Sequence, residues 1–289
     1  MANRKMLSFW YKLGKKYVKI MPVSFVYLTA KLLGFFSFWF DRKRNYVLNN
    51  IKIITNKNRF SLYKLGIEFY ENFALNIADY FIVVVKGFDK IKILTPKEEV
   101  FKKLKELTQN GGLVIPTAHL GNWEVAGVLV GSLGFKAHGI GLPQQDIEVE
   151  KFYEELRRRF NVIVHPFQGG FLGAYKAVKN GEIATIVSDR DINKDGVCVN
   201  FFGRNVSFPK GASILAYRTK VKSIFAALIR ENGYYKVYFS DEFDIDFTLP
   251  ESEFSKRYVS KFASILEEFV KRYPTQWYHF FDYFKEYSC

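Results

Sequence analysis

The chain has 289 residues, room for one large domain or two small ones and for a sizeable core in either case. At 48% hydrophobic and 25% charged it is globular, and its two distant cysteines, Cys198 and Cys289, show no zinc spacing and imply no disulfide framework, which fits a reducing cytoplasmic setting. The net charge is +14, and the 18% aromatic content, about double that of an ordinary soluble domain, suits a surface that meets lipid.

The charge sits at the start of the chain. Residues 1–60 hold thirteen basic residues (Arg4, Lys5, Lys12, Lys15, Lys16, Lys19, Lys31, Arg42, Lys43, Arg44, Lys52, Lys57 and Arg59) against one acid, Asp41, and so carry +12 of the +14. Such an arm is drawn to anionic lipid, nucleic acid or an acidic protein. Within it Met21 to Phe40 is apolar apart from Lys31, close to bilayer-spanning length. The stretch is too long for a signal peptide and is followed by DRKRN instead of a cleavage site. Both flanks are basic and Lys31 sits mid-segment, which favours an in-plane or shallow helix over a true span, with a buried core helix as the third reading. Residues 1–60 are thus expected to form membrane-associating helices and 61–289 a separate α/β domain.

From Phe60 to Asp89 the spacing of Leu62, Leu65, Phe69, Phe73, Ile77 and Tyr80 predicts an amphipathic helix. Thereafter helices and short strands alternate. Residues 98–109, Asn122–Gly131, Val149–Phe160, Gly170–Lys179, Gly211–Arg218 and Glu251–Arg272 read as helices. Gly112–Pro116 reads as a short buried strand, Lys136–Ile140, Val162–Val164 and Ile183–Ser188 as strands, and Lys222–Ile229 with Tyr235–Ser240 as a pair about a Glu231-Asn232-Gly233 turn. That order predicts an α/β fold with a central, mostly parallel mixed sheet flanked by helices. Chemistry is then sought beyond the carboxyl ends of the strands, after Pro116 and Ser188.

Two constellations lie there. After Pro116 the chain reads Thr117-Ala118-His119-Leu120-Gly121-Asn122-Trp123-Glu124. On one helix His119 and Glu124 would stand about 140° apart, so a turn at Gly121 and an N-cap at Asn122 are expected, with His119 in the loop and Glu124 in the first helical turn. Glu124 would then accept the imidazole N–H, and free amides at the helix start would face a developing oxyanion. A histidine alone is more often structural; a strand end with a nearby carboxylate favours catalysis. The second constellation is Asp189-Arg190-Asp191, then Val199-Asn200-Phe201-Phe202-Gly203-Arg204 and Phe208-Pro209-Lys210-Gly211-Ala212-Ser213, which suits a phosphate or charged head group or, equally, an ordinary polar loop.

With these residues in order, the sequence resembles the lauroyl/myristoyl acyltransferases of lipid A biosynthesis and the related phosphatidylinositol mannoside acyltransferases. HLGNWE fits their His-x4-Glu/Asp signature; SDRD, VNFFGR, FPKGAS and LAYRT follow in their order, and Tyr273-Pro274-Thr275-Gln276-Trp277-Tyr278 looks like their closing motif. The resemblance implies a glycerolipid-acyltransferase-like fold at the cytoplasmic face of the inner membrane. It implies His119 as general base with Glu124 as its partner, and substrate contacts from Asn122, Arg158, Asp189, Arg190, Asp191, Arg204 and Lys210. The donor would be an acyl-carrier protein or acyl-coenzyme A and the acceptor a hydroxyl of a glycolipid or phospholipid, with no cofactor and no metal. Two departures stand out: Arg190 where the family has Gln, and Leu142-Pro143-Gln144-Gln145 where it often has a basic element.

Other readings are weaker. No Gly-x-Ser-x-Gly elbow supports a hydrolase, Gly139-Ile140-Gly141 lacks the third glycine of a dinucleotide fingerprint, and no phosphate loop is present. His138, His165 and His279 read as packing or interface residues. The non-enzymatic alternative is a basic membrane- or nucleic-acid-binding protein, for which nucleic acid is the less expected partner.

Overall fold

A computed structural model describes residues 2–143, 146–244 and 246–289, with side chains from residue 10 onward except Glu148. Gln144 and Gln145, and the side chains of Arg4 and Lys5, lie outside the described set. Four helices open the chain: α1 (Ala2–Ile20), α2 (Val23–Phe40), α3 (Arg44–Thr55) and α4 (Arg59–Lys86). Asn58 caps α4 by accepting the Ser61 N–H at 3.0 Å. Then follow α5 (Lys97–Leu107), β1 (Leu113–Thr117), α6 (Trp123–Ser132), β2 (Ala137–Gly141), α7 (Ile147–Arg159), β3 (Val162–Pro166), α8 (Phe171–Lys179) and β4 (Ile183–Val187). The rest comprises β5 (Val197–Phe201), β6 (Arg204–Phe208), α9 (Gly211–Thr219), β7 (Lys222–Glu231), β8 (Tyr234–Glu242), α10 (Glu251–Arg272) and α11 (Tyr283–Glu286).

Six strands form one sheet in the order β3-β2-β4-β1-β7-β8, parallel throughout except for the antiparallel β7–β8 edge. The mixed, mostly parallel sheet expected from the alternation is therefore present. Side chains alternate between two cores: Val114, Phe225, Ala227 and Ile229 join the layer of α8, α9 and α10, while Leu113, Ile115, Ile224 and Leu228 join that of α4 to α7. Both faces are covered, which is why β1 and β4 read as mostly apolar runs without polar alternation.

Helix α2 buries one stripe, Val26, Ala30, Gly34 and Phe38, spaced four apart, against α4. At Gly34 a Cβ would stand 2.6 Å from the backbone of Glu71, so the close approach needs glycine. Phe25, Leu28, Leu32, Leu33, Phe36 and Phe40 point outward, Phe40 being 81% exposed. By length and composition α2 is also apolar enough to cross a membrane.

Two expectations are corrected. The 197–208 segment, read as loop, is a separate antiparallel hairpin, β5–β6. Cys198 and Cys289, whose spacing implies no disulfide framework, form a disulfide with Cα atoms 6.0 Å apart. The end of the chain runs beside β6, with Ser207 N–H donating to the Tyr287 carbonyl at 2.8 Å, and this brings together cysteines that are 91 residues apart. The cysteines therefore no longer argue for a reducing compartment.

Candidate active site

His119 and Asp189 face each other because β1 and β4 are parallel neighbours in register. Thr117 pairs with Val187 at the carboxyl ends, and each side chain follows two residues later. His119 Nδ1 lies 2.7 Å from Asp189 Oδ1, and the His119 backbone N–H donates to Oδ2 at 2.9 Å. Trp277 Nε1–H donates to the same oxygen at 3.0 Å, and His279 Nε2 stands 3.2 Å from it, off a good hydrogen-bond line. Tyr283 O–H binds the Asp189 carbonyl at 2.8 Å. Burial alone would raise the Asp189 carboxyl; the His119 and His279 rings outweigh it and hold it well below the usual carboxylate range. An ionised Asp189 fixes the proton of His119 on Nδ1 and leaves Nε2 as the free base, on a side chain 21% exposed.

Glu124 is not the partner of His119. It lies in the first turn of α6 as expected, but its carboxylate binds Arg157 Nη2 on α7 at 3.0 Å, and Arg157 also reaches Glu150 at 3.5 Å. Burial opposes the charge on Arg157, and the two glutamates overcome it and raise its pKa. Among the described residues no hydrogen bond joins Glu124 to His119. Asp189 fills that position because strand order outranks closeness in sequence.

Asn122 caps α6 as expected, accepting the Val125 N–H at 3.2 Å. It is also wholly buried and donates to Asp79 and the Tyr235 hydroxyl, so it faces no open space for a substrate. The nearby amides are likewise taken: Gly121 N–H binds the Gln276 carbonyl at 2.8 Å and Asn122 N–H that of Leu228 at 2.9 Å. Of the expected oxyanion donors, Trp123 and Glu124 remain as helix-start amides.

The other predicted contacts scatter. Arg190 Nη2 donates to the Tyr278 carbonyl at 2.8 Å and Nε to His279 Nδ1 at 3.2 Å, while its guanidinium lies over Phe281. It supports the site from behind. Asp191 is buried and accepts from Gly196 N–H and Ser207 O–H, knitting its own loop. Lys210 pairs with Asp195 at 3.2 Å, Arg204 is exposed at the β5–β6 turn, and Arg158 is exposed on α7. None of these three hydrogen-bonds or ion-pairs with His119.

Sequence reading missed Trp277 and His279. The closing segment docks across the His119 loop: Tyr278 N–H donates to the His119 carbonyl at 2.8 Å, and Leu120 bridges to Trp277. His279 is packed as expected, yet its ring also faces Asp189, and burial lowers its pKa to about 3, so it is neutral. The polar and aromatic density of Gln276-Trp277-Tyr278-His279 was the available signal. His138 and His165 share a 3.1 Å contact within β2 and β3, and His138 lies 2.7 Å from Glu182. Among the described residues no group of three or more His, Cys, Asp or Glu side chains is arranged to hold a metal ion.

An apolar aromatic shelf adjoins the histidine. Trp123 meets the His119 ring edge-on at 5.1 Å and Tyr278 at 6.1 Å; Tyr278 leads to Phe73, and Phe73 to Phe280. These residues join the cluster of Phe38, Val47, Ile51, Leu62 and Phe69 contributed by α2, α3 and α4.

Fold and site together define an α/β protein with a histidine–aspartate pair at the carboxyl edge of its sheet, set beside an apolar helical layer. The model of one family, described as bacterial lipid A biosynthesis acyltransferase, matches residues 2–286, and the chain belongs to that family. The chain is also similar to phosphatidylinositol mannoside acyltransferase from Mycobacterium tuberculosis, in strains CDC 1551 / Oshkosh and ATCC 25618 / H37Rv, at 28% identity over 116 residues in each. That stretch covers 37% of this chain and 35% of theirs, so the chain spans about a third of the length of the curated relatives it matches.

Proposed function

We propose that the protein is an O-acyltransferase that moves a fatty acyl group from an acyl-carrier-protein or acyl-coenzyme A thioester to a hydroxyl of a glycolipid or phospholipid. The observation that carries this reading is the His119–Asp189 pair, with Nε2 free, at the edge of an aromatic shelf. Neutral His119 removes the proton from the acceptor hydroxyl, whose oxygen attacks the thioester carbonyl. Asp189 holds the tautomer and stabilises the imidazolium that forms. The tetrahedral oxyanion is met by the Trp123 and Glu124 amides, and its collapse expels the thiolate, which takes the proton back from His119. No covalent acyl-enzyme is needed. Glu124 serves by holding Arg157, and Arg190 by holding His279.

Residues 1–60 form the membrane-binding region in this proposal, and 61–289 the catalytic domain. Helix α2 packs one face on α4 and turns its other face outward, which supports an in-plane seating, and its Lys and Arg flanks suit an anionic leaflet. Carrier thioesters are met at the cytoplasmic face of the inner membrane, which is the proposed location. The basic arm also suits steering of an acidic carrier protein. The test is incubation of the purified protein with palmitoyl-coenzyme A and vesicles of a bacterial lipid extract, read by mass spectrometry. A lipid gaining one acyl chain supports the reading; a salt-sensitive affinity for DNA or RNA with no acylated lipid would support the binding-protein alternative.

A further inference from the structure

Behind the catalytic loop lies a buried polar cluster that the proposed chemistry does not use. Asp79 on α4 is wholly buried, and its carboxylate accepts from four elements. Tyr27 of α2 donates its hydroxyl to Oδ1 at 2.8 Å. Tyr235 of β8 donates to Oδ2 at 2.6 Å, Arg230 of β7 donates to the same oxygen, and Asn122, the cap of α6, donates to it at 3.3 Å. Asn122 also donates to the Tyr235 hydroxyl at 2.9 Å. One turn earlier on α4, Asn76 donates to the Gly121 carbonyl at 2.7 Å.

A buried ion pair of this kind is a poor source of stability, since apolar side chains of like volume usually do as well. What it does supply here is placement. Gly121 has φ +61°, and a Cβ on it would stand 2.1 Å from the Leu228 carbonyl, so the turn after His119 presses directly on β7. Arg230 on that strand exchanges two backbone hydrogen bonds with the Gln276 side chain, and the Gln276 carbonyl accepts the Gly121 N–H. The turn is thus held by β7 beneath, by the closing segment beside it, and by Asp79 and Asn76 behind. Among the described residues, Tyr27 is the α2 side chain that hydrogen-bonds into this cluster. It sits on the helix whose opposite face exposes Phe25, Leu28, Leu32 and Phe36.

We infer that Asp79 is a positioning residue for His119, and that Tyr27 makes the placement of the catalytic loop depend on how α2 is seated, so that docking on a lipid surface and arming of the histidine are coupled. This rests on the acyl-transfer reading given above. Seating α2 on a bilayer fixes Tyr27 against Asp79. Asp79 then fixes Asn122, and the Gly121–Asn122 turn holds His119 in line with Asp189.

Tyr27→Phe removes one hydroxyl and leaves the packing of the ring. The control is Tyr17→Phe, which removes a comparable 2.5 Å hydrogen bond between α1 and α2, to Thr29, that has no link to the loop. Full-length proteins are compared on phosphatidylethanolamine–phosphatidylglycerol vesicles for flotation, for transfer from palmitoyl-coenzyme A to bacterial lipid extract, and for amide exchange. For Tyr27→Phe the expected results are unchanged flotation, unchanged KM for the donor, kcat lower by about tenfold and faster exchange at Gly121 and Asn122. Tyr17→Phe should match the parent in each. Asp79→Asn should lower kcat further; should it fail to fold, Tyr27→Phe decides alone. Parent-like kcat and exchange in Tyr27→Phe, or an equal loss in Tyr17→Phe, would overturn the inference. A parent protein with no transfer at all would refute the acyl-transfer reading instead, and amide exchange would still test the positioning.

Discussion

Asp189→Asn is the substitution that separates the structural account from the one read off the motif. The carboxylate now meets three hydrogen-bond donors, His119 Nδ1–H at 2.7 Å, the His119 backbone N–H at 2.9 Å and Trp277 Nε1–H at 3.0 Å, with the His279 ring at 3.2 Å. An amide of the same shape offers one acceptor oxygen and one NH2. If that NH2 faces the imidazole, Nδ1 must accept, the proton moves to Nε2 and the base is lost. Loss of a charge-assisted bond to the imidazolium removes about 2–3 kcal/mol of transition-state stabilisation, or about 30- to 150-fold in rate. The reversed tautomer adds to this, and the same exchange in a serine-protease triad costs about 10⁴-fold. The expected fall in kcat is therefore about 10³-fold, with a stability loss of about 1–3 kcal/mol from the donors left facing the amide. Single-turnover transfer from palmitoyl-coenzyme A, measured well below the melting temperature, reads the first quantity, and thermal unfolding reads the second. Glu124→Gln in the same assay should stay within about tenfold of the parent, because it loosens Arg157 and leaves His119 paired. Activity within tenfold in Asp189→Asn, together with abolition in Glu124→Gln, would refute the pairing and restore Glu124 as the partner.

Three further outcomes follow from the same geometry. Because His279 titrates near 3 when folded and near 6.5 when unfolded, its contribution to stability is complete above pH 6.5 and declines toward pH 3. Unfolding free energy should drop by about 1.4 kcal/mol per pH unit across that window; Asp189, held below its unfolded value, adds to the loss below about pH 4. Chemical denaturation of His279→Asn should show the shallower slope between pH 6 and 4, and an unchanged slope would contradict the assignment. Cys198→Ser opens a 91-residue loop, which by chain entropy destabilises the fold by about 4–5 kcal/mol. Differential scanning calorimetry should find a lower melting temperature, matched by the parent under reductant, and an unchanged one would exclude the cross-link. Leu33→Glu with Phe36→Glu, both exposed, should leave the melt unchanged and weaken vesicle flotation at least 100-fold by removing about 3–6 kcal/mol of apolar insertion.

The fold was largely legible because its signals are local. Short apolar runs such as GLVIP and IATIVS, separated by helical periods, predict a covered parallel sheet, and the structure forms it. Asn122 announced its cap and Pro274 the end of α10. Both members of the His119–Asp189 pair were also visible, each as an ionisable residue beyond a strand. Their pairing was not, because it depends on β4 lying beside β1, a fact of strand order that no local pattern carries. Glu124, five residues from His119, looked nearer than Asp189, seventy residues away. The β5–β6 hairpin stayed hidden because its turn is Phe202-Gly203, with Phe202 at φ +53° where Asn or Asp usually marks such a turn. The disulfide was equally unreadable, since a separation of 91 residues hides the run of the last residues along β6.

The most direct measurement is lipid acylation by His119→Ala. Purified parent and variant are incubated with palmitoyl-coenzyme A and vesicles of bacterial lipid extract, and products are resolved by mass spectrometry alongside flotation and melting temperature. The account predicts an acylated lipid from the parent and none from the variant, with flotation unchanged and the melt close to that of the parent. Near-parental acylation by a folded, vesicle-bound His119→Ala would contradict it.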